Sequence, residues 1–295
     1  MRFALPLGVR DGVVALAAAL VVVIGLAAAA WIWWPATAPG PCVVVSGPAL
    51  IPELSESSGL AMSARTPGLL WSHNDSGNAA VLFALDAGGA VRGRVRVPIR
   101  TRDWEDISAA RCPSGHCLYI ADIGDNQRRR AQVQIYRVPE PAPGDAETQR
   151  PDVFNATYSD GPHNAEAMFV VDGHAFIITR DRTAGVYRAT LPPAGGGELT
   201  FRPVLQLGLG AVTDAEASRD GTAVVVRTSH EVVWYRTADL MRGTNGPYFR
   251  IRIDGLRELQ GEGVALDGDI LYLSSEGKQW SRPGRLISLR CEIRQ

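Results

Sequence analysis

The chain has 295 residues, with 30 Lys and Arg against 31 Asp and Glu and a net charge of −1. A balance this close to neutral leaves no electrostatic footprint for a nucleic-acid backbone, so no nucleic-acid partner is expected. Past the first forty residues, the remaining roughly 250 make one large domain or two small ones by length.

Val13 to Trp34 is a run of 22 residues without a charge or a strongly polar group. At 1.5 Å per residue it extends roughly 33 Å, enough for a ~30 Å hydrocarbon core. Arg2 and Arg10 precede it, and Trp31, Trp33 and Trp34 cluster at its far end, where indoles prefer the interface. The expected layout is a cytoplasmic stub at 1–12, a single-pass anchor at 13–34, a linker at 35–41 and an extracytoplasmic domain at 42–295. A cleaved signal peptide is the other reading, but its apolar region normally runs 7–15 residues. Cys42 and Cys291 stand at the two ends of the domain, and Cys112 and Cys117 flank a tight turn. No second Cys or His pair has zinc spacing. Two disulfides, Cys42–Cys291 and Cys112–Cys117, are expected in an oxidising compartment, with free buried thiols as the alternative.

Beyond the anchor, one phrase recurs before each predicted hairpin. Its copies are Ser58-Gly59-Leu60-Ala61, Glu105-Asp106-Ile107-Ser108, Glu166-Ala167-Met168-Phe169, Glu216-Ala217-Ser218 and Glu262-Gly263-Val264-Ala265. The spacings are 47, 61, 50 and 46 residues. A period in this range with strands in each unit predicts a β-propeller. Each phrase opens a strand. A turn and an apolar run follow: 69–71, 117–120, 175–178, 223–226 and 270–273. Continuous apolar runs suit strands buried on both faces. Third strands are expected at 81–85, 133–138, 185–188, 232–235 and 285–289, and fourth strands at 91–98, 152–158, 200–207 and 248–253. The fifth unit lacks a fourth strand, and Val43–Val45 has no place in the first. Giving Val43–Val45 to the last blade closes the ring and removes exposed sheet edges. Five four-stranded blades are favoured. Six would follow if the 61-residue second unit held another, but its 139–150 stretch reads as a polar, Pro-rich loop.

If the phrase opens the innermost strand of each blade, strand one begins and strand two ends on the same face of the disc. Glu105, Asp106, Glu166, Glu216, Glu262, Asp75, Asp122, Asp125, Asp181 and Glu276 then gather near one axis, with Arg180, Arg227, His73 and His230 among them. So many carboxylates cannot all stay ionised in a small volume. A hard cation would neutralise them, calcium being favoured because it accepts 6–8 oxygens from flexible sites. Pairing with Arg180 and Arg227 would give a neutral plug. Protonation of one or two acids would create a general acid. Asp122-Ile123-Gly124-Asp125-Asn126 and Asn74-Asp75-Ser76-Gly77-Asn78 resemble fragments of metal loops, although neither has the EF-hand spacing, and such residues also make ordinary turns. The Arg128-Arg129-Arg130 run reads as a solvated loop. Ser58, His73 and Asp75 have the residue types of a hydrolytic triad, but Gly-x-Ser-x-Gly and His-Glu-x-x-His are absent.

The phrases Glu56-Ser57-Ser58-Gly59-Leu60, Trp71-Ser72-His73-Asn74-Asp75, Asp103-Trp104-Glu105-Asp106-Ile107 and Gln260-Gly261-Glu262-Gly263-Val264 resemble the SdiA-regulated, phytase-like group of bacterial propellers. The resemblance spans about residues 43 to 291 and implies a secreted or membrane-anchored, calcium-associated propeller. Asp106 departs from it, many relatives carrying Gly there. A phytase needs a basic phosphate cleft, and only Arg180 and Arg227 are expected near this one, so phytase activity is not expected.

The function expected is a divalent-cation-binding propeller. Glu105, Glu166, Glu216 and Glu262 would be ligands, and Asp75, Asp125, Asn126, Arg180, Asp181, Arg227, His230 and Glu276 would surround them. If the site is catalytic, it is a metal-dependent hydrolase of an ester, lactone or phosphoester, with His73 or Asp122 positioning a water. The alternative is a non-catalytic module binding an envelope protein or glycan. A monomer is expected.

Overall fold

The computed structural model describes residues 40–277 and 282–293. The expected stub, anchor and most of the linker lie outside the described residues. Among the described residues, no helix is long and apolar enough to cross a membrane.

The apolar runs form strands wherever both of their faces are covered. β1 (Cys42–Ile51) is followed by four strands in an antiparallel meander: β2 (Ser57–Met62), β3 (Leu69–Asn74), β4 (Val81–Asp86) and β5 (Val91–Arg96). The same meander recurs as β6 (Asp106–Cys112), β7 (Gly115–Asp122), β8 (Val133–Pro139) and β9 (Asp152–Tyr158). It recurs again as β10 (Ala165–Val171), β11 (His174–Thr179), β12 (Gly185–Thr190) and β13 (Gly197–Gln206). A parallel pairing of β13 with β9 joins these last two meanders into one eight-stranded sheet. β14 (Val212–Ala217), β15 (Ala223–Thr228), β16 (Glu231–Arg236) and β17 (Pro247–Arg252) follow, with one short helix, α1 (Thr237–Met241), between the last two. β18 (Gln260–Asp267), β19 (Ile270–Glu276) and β20 (Gly284–Cys291) complete the set, and β1 pairs antiparallel with β20. The molecule is all-β and propeller-like.

The first strands of these units contact one another in a closed cycle, β2 to β6 to β10 to β14 to β18 and back to β2. Between neighbouring units the sheet faces stack through apolar side chains. Trp71, Trp104, Ile107 and Leu118 fill one such layer, and Phe154, Met168, Ile177 and Phe201 the next. Phe169, Phe176, Val233 and Tyr235 fill a third, and Ile51, Leu60, Tyr272 and Leu286 a fourth. Burial on both faces is why the second strands read as continuous apolar runs instead of alternating ones. Register shifts interrupt four of the five first strands near their starts, between Ser57 and Leu60, Ala165 and Ala167, Val212 and Asp214, and Gly261 and Val264. Such bulges re-aim side chains that strict alternation would send elsewhere.

The extra length of the second unit is a loop after β8, and it lies along β5. Arg96 N–H donates to Ala146 O at 3.0 Å, and Thr148 N–H to Arg96 O at 2.9 Å. Glu140, buried at the start of this loop, accepts from Trp71 Nε1 at 3.0 Å and from the Ser63 hydroxyl. Both expected disulfides are present, Cys42–Cys291 and Cys112–Cys117. They close chain segments of very different length, 249 against 5 residues of separation. Loop-closure entropy then assigns about 5 kcal/mol to the first and about 2 to the second. Replacing Cys42 and Cys291 together by Ala is expected to lower the denaturation midpoint clearly more than replacing Cys112 and Cys117. Equal losses in chemical unfolding would contradict this ordering.

Candidate functional site

The entrances of the inner strands, four of the five bulged, bring five equivalent residues to the axis: Gly59, Asp106, Ala167, Asp214 and Gly263. The two aspartates are fully buried there, both at 0% exposure. Asp106 accepts from Ile107 N–H and Met168 N–H, each at 2.6 Å. Asp214 accepts from Leu60 N–H at 3.2 Å, from Val264 N–H at 2.5 Å and from its own neighbour Ala215 N–H. One backbone amide from every inner strand is therefore held by one of two carboxyl groups. Those two groups also touch each other. Burial, and for Asp106 the facing charge of Asp214, push both above the ordinary carboxylate range, Asp214 to about 7. One proton shared between them resolves the repulsion. Two of the other three positions are glycine for a steric reason: a Cβ on Gly59 would come within 2.3 Å of Asp106 Oδ1, and one on Gly263 within 2.4 Å of Ser274 Oγ.

This geometry corrects the fourth copy of the repeat. Ser58 Oγ donates to Glu105 O at 2.5 Å, and Thr213 Oγ1 donates to Glu262 O at 3.0 Å. Thr213, not Glu216, is the counterpart of Ser58, Glu105, Glu166 and Glu262. Glu216 lies one layer further along the axis. Ser108 Oγ donates to it at 3.1 Å, and Val170 N–H donates to Ser108 Oγ at 3.1 Å. Burial and the charge of Asp214 raise the Glu216 carboxyl well above its usual range.

The other layer is the acidic mouth. Carboxylate oxygens of Asp75, Asp103 and Glu105 lie within 4.8 Å of one another. The Glu105 carboxyl also meets that of Glu166. Glu166 Oε2 pairs with Arg180 Nη1 at 2.8 Å, and Asn164 Nδ2 donates to Glu166 Oε1 at 3.2 Å. Gln260 Nε2 donates to Glu262 Oε1 at 2.8 Å, and Glu276 stands opposite Gln260 on β19. Burial first, and neighbouring carboxylates second, raise Glu105 well above its usual range. Burial likewise brings Asp75 to about 6 and Glu262 to about 7, and raises Asp103. Gly124 is what lets two of these groups approach: a Cβ there would sit 2.1 Å from Glu105 Oε1 and 2.5 Å from Asp103 Oδ2.

Several expected members of the site are engaged elsewhere. Asp122 accepts from Arg102 N–H at 2.8 Å and Asp103 N–H at 3.0 Å, and pairs with buried Arg130 at 2.8 Å. It is a buried clasp for the loop bearing Asp103, with both oxygens accepting hydrogen bonds. In the Arg128–Arg130 run, Arg128 and Arg129 are exposed, Arg128 pairing with Asp181, and only Arg130 is buried. His73 is fully buried and stacked on Trp104 at 4.1 Å, and burial lowers its pKa to about 3. It is not placed to activate a solvent molecule, and Ser58 directs its hydroxyl to a backbone carbonyl, so no triad forms. Arg227 is buried and donates to Gly263 O at 2.6 Å and Ser274 O at 3.0 Å, and pairs with Glu258 at 2.5 Å. It ties β15 to the last inner strand instead of neutralising the mouth. His230 pairs with Asp254 at 2.8 Å on the exposed rim. Asp125 accepts from Arg130 N–H at 2.7 Å, and Asn126 receives Asn164 Nδ2 at 3.3 Å, both supporting the loop beside the mouth. Asp103, Thr213 and Asp214 are the positions that sequence reading passed over. Asp103 stood in a quoted motif, and Asp214 shares with Asp106 the place directly before an apolar residue of the inner strand.

No protein-family model and no curated protein matches the chain. Among solved structures, glutaminyl cyclase of Myxococcus xanthus is 13% identical over 86% of this chain and 97% of that one, with a TM-score of 0.49. Hsv2 of Kluyvelomyces marxianus is 11% identical over 75% of this chain, with a TM-score of 0.34. A KlHsv2 with loop 6CD replaced by a Gly-Ser linker is 12% identical over 75% of this chain, with a TM-score of 0.31. The match takes in 57% and 61% of those two Hsv2 chains, under two thirds of their length.

Groups whose carboxyl pKa is raised by folding hold their protons more tightly in the folded state. Their stabilising contribution is complete below the ordinary carboxylate range and is lost as pH rises through about 6 to about 7, the values of Asp75, Glu262 and Asp214. Without divalent cations, the melting temperature is therefore expected to be higher at pH 5 than at pH 8. An Asp214→Asn side chain can donate its own N–H to Asp106, so this variant is expected to fold and to show a weaker pH slope. Asp214→Ala strands buried amides and is expected to lose roughly 2–5 kcal/mol. Thermal melts of the three proteins at both pH values check this, and an Ala variant as stable as the Asn variant would contradict it.

Proposed function

We propose that this chain is an extracytoplasmic, membrane-anchored, five-bladed β-propeller that binds a divalent cation at the acidic mouth of its axis. Five blades are supported by the cycle of five inner strands and by the extra length of the second unit forming a loop along β5. The compartment is supported by the two disulfides, and the anchor by the apolar 13–34 run. The cation reading is carried by one observation: the three convergent carboxylates of Asp75, Asp103 and Glu105. Glu166 lies beside them, and Arg180 is the cation paired with it. The donors are all hard oxygens, which fits calcium better than a transition metal. Asp75, Asp103 and Glu105 would hold the ion, with Glu166 in reach. This replaces the expected set of four glutamates.

Binding is the role the residues favour over hydrolysis. Of the two groups expected to position a water, His73 is fully buried and stacked on Trp104, and Asp122 is buried and bonded to Arg130 and two backbone amides. A bound ion would supply positive charge that lets the mouth acids ionise together. The propeller would then present its cation-bearing face to an envelope protein or glycan.

Protons and the cation compete for the same oxygens, which fixes the sign of the test. At pH 8, calcium in hundredfold excess over Kd is expected to raise the melting temperature by roughly 5–10 °C. The shift should shrink at pH 5 and be reversed by EDTA. Gly124→Ala should abolish it by pushing Glu105 and Asp103 apart. No shift in the parent protein, with no metal found by elemental analysis, would sink the cation reading.

A further inference from the structure

The inner strands end at a second opening of the axis, on the face away from the acidic mouth. A cavity of about 670 Å³ lies there, within the ~300–1,000 Å³ range of small-molecule sites. It collects the far ends of β2, β6, β10 and β14. Met62, Ala109 and Val170 give it an apolar wall. On its rim Arg111 and Arg219 stand with Asp172 and Asp220, two charges of each sign. Glu216 also lines the cavity and is 2% exposed, which sets its carboxyl at the deep end.

The groups around Glu216 are arranged for a carboxylate. Val170 N–H donates to Ser108 Oγ, which leaves the Ser108 hydroxyl proton for Glu216 Oε2 at 3.1 Å. The backbone N–H groups of Ala109 and Ala217 donate to Glu216 as well. Three donors thus converge on one acceptor, and none of them carries a charge. Other buried acids near the axis have a partner that settles their charge: Asp122 pairs with Arg130, Glu166 with Arg180, and Asp106 with Asp214. No basic group among the described residues is ion-paired with Glu216, and the charge that acts on it most is the negative one of Asp214. What this carboxyl lacks is a positive charge, and the side open to one is the cavity.

We infer that this cavity is a binding site for a small primary alkylammonium ligand, its nitrogen donating to Glu216 and its hydrocarbon chain lying on Met62, Ala109 and Val170. A charge-assisted hydrogen bond away from water is among the stronger polar contacts, and the uncharged donors already hold the acceptor in place. A metal ion fits the same place poorly: calcium takes 6–8 oxygens, and the apolar wall supplies none. The wall instead rewards a ligand that brings carbon with its charge. This inference does not depend on the cation site at the acidic mouth.

The test is calorimetric titration of the full chain, in nonionic detergent at pH 7, with n-butylamine and with 1-butanol over roughly 0.1–30 mM, the range for so small a ligand. Heats of dilution into protein-free micelles are subtracted. Butylammonium is expected to saturate the parent protein, and butanol to bind roughly tenfold more weakly or less. Glu216→Gln keeps the size of the side chain and removes its charge, and Ser108 can turn its hydroxyl to accept from the amide. This variant is expected to fold and to bind butylammonium roughly tenfold more weakly than the parent does. A parent that does not saturate overturns the inference. So does butanol binding as tightly as butylammonium, which would leave an apolar cavity indifferent to charge. Butylammonium binding to Glu216→Gln as well as to the parent overturns it too, and would move the ligand to the acidic mouth. Should Glu216→Gln fail to fold, Ala64→Trp, at the turn lining the cavity, decides: it is expected to weaken butylammonium, and unchanged binding overturns the inference.

Discussion

The structure depends on how five inner strands dispose of the backbone donors that face the axis. A strand at the centre of a ring of sheets has a neighbour in its own sheet on one side only. Its other edge points at the axis, where no further strand can enter, and a buried N–H without a partner is costly. Two short carboxyl groups solve this for all five strands. Asp106 takes amides from β6 and β10, and Asp214 takes them from β2, β14 and β18. Two acids suffice because each offers several lone pairs. They also have to be few, since the axis has no room for a third, and Gly59 shows how little space is left.

The rest of the axis follows from placing acids there. Two carboxyl groups in contact cannot both be ionised, so the fastener includes a proton. The neighbouring layers are acidic as well, with Glu216 on one side and Glu105, Glu166 and Glu262 on the other. Ser58 and Thr213 hold the strands together through hydroxyl-to-carbonyl bonds at the positions where the other units have glutamate. Hydroxyl positions of the repeat therefore stitch neighbouring strands, and glutamate positions leave side chains free for the mouth.

The period, the strand order within each unit and the disulfide pairing were legible in the sequence because each has a local signal: apolar runs of fixed length, turn residues, and cysteines at the domain ends. The site was legible only in part. In Val212-Thr213-Asp214-Ala215-Glu216-Ala217, two acids compete for one place in the repeat. Glu216-Ala217 looks like Glu166-Ala167, yet Thr213 is the true counterpart. An error of three residues is odd, so it exchanges the faces of the strand. The bulges at the strand entrances make this invisible to any count of alternation. Arg227 and Asp122 were misplaced for another reason. A charged residue at a strand end reads the same whether it faces solvent or clasps a neighbouring backbone.

Charge accounting separates the architectural acids from the chemical ones. At the axis, the proton between Asp106 and Asp214 is sealed from water, and every oxygen that holds an amide has a structural task. At the mouth, Asp75 and Asp103 are half-buried, and one guanidinium, that of Arg180, pairs with a carboxylate there. The deficit of positive charge is thus met at the axis by a fixed proton, and at the mouth by whatever exchanges with solvent, proton or cation. Glu105 and Asp106 are adjacent in the chain and belong to the two regimes. One residue of backbone separates the part of the repeat that holds the ring together from the part that can answer to an ion.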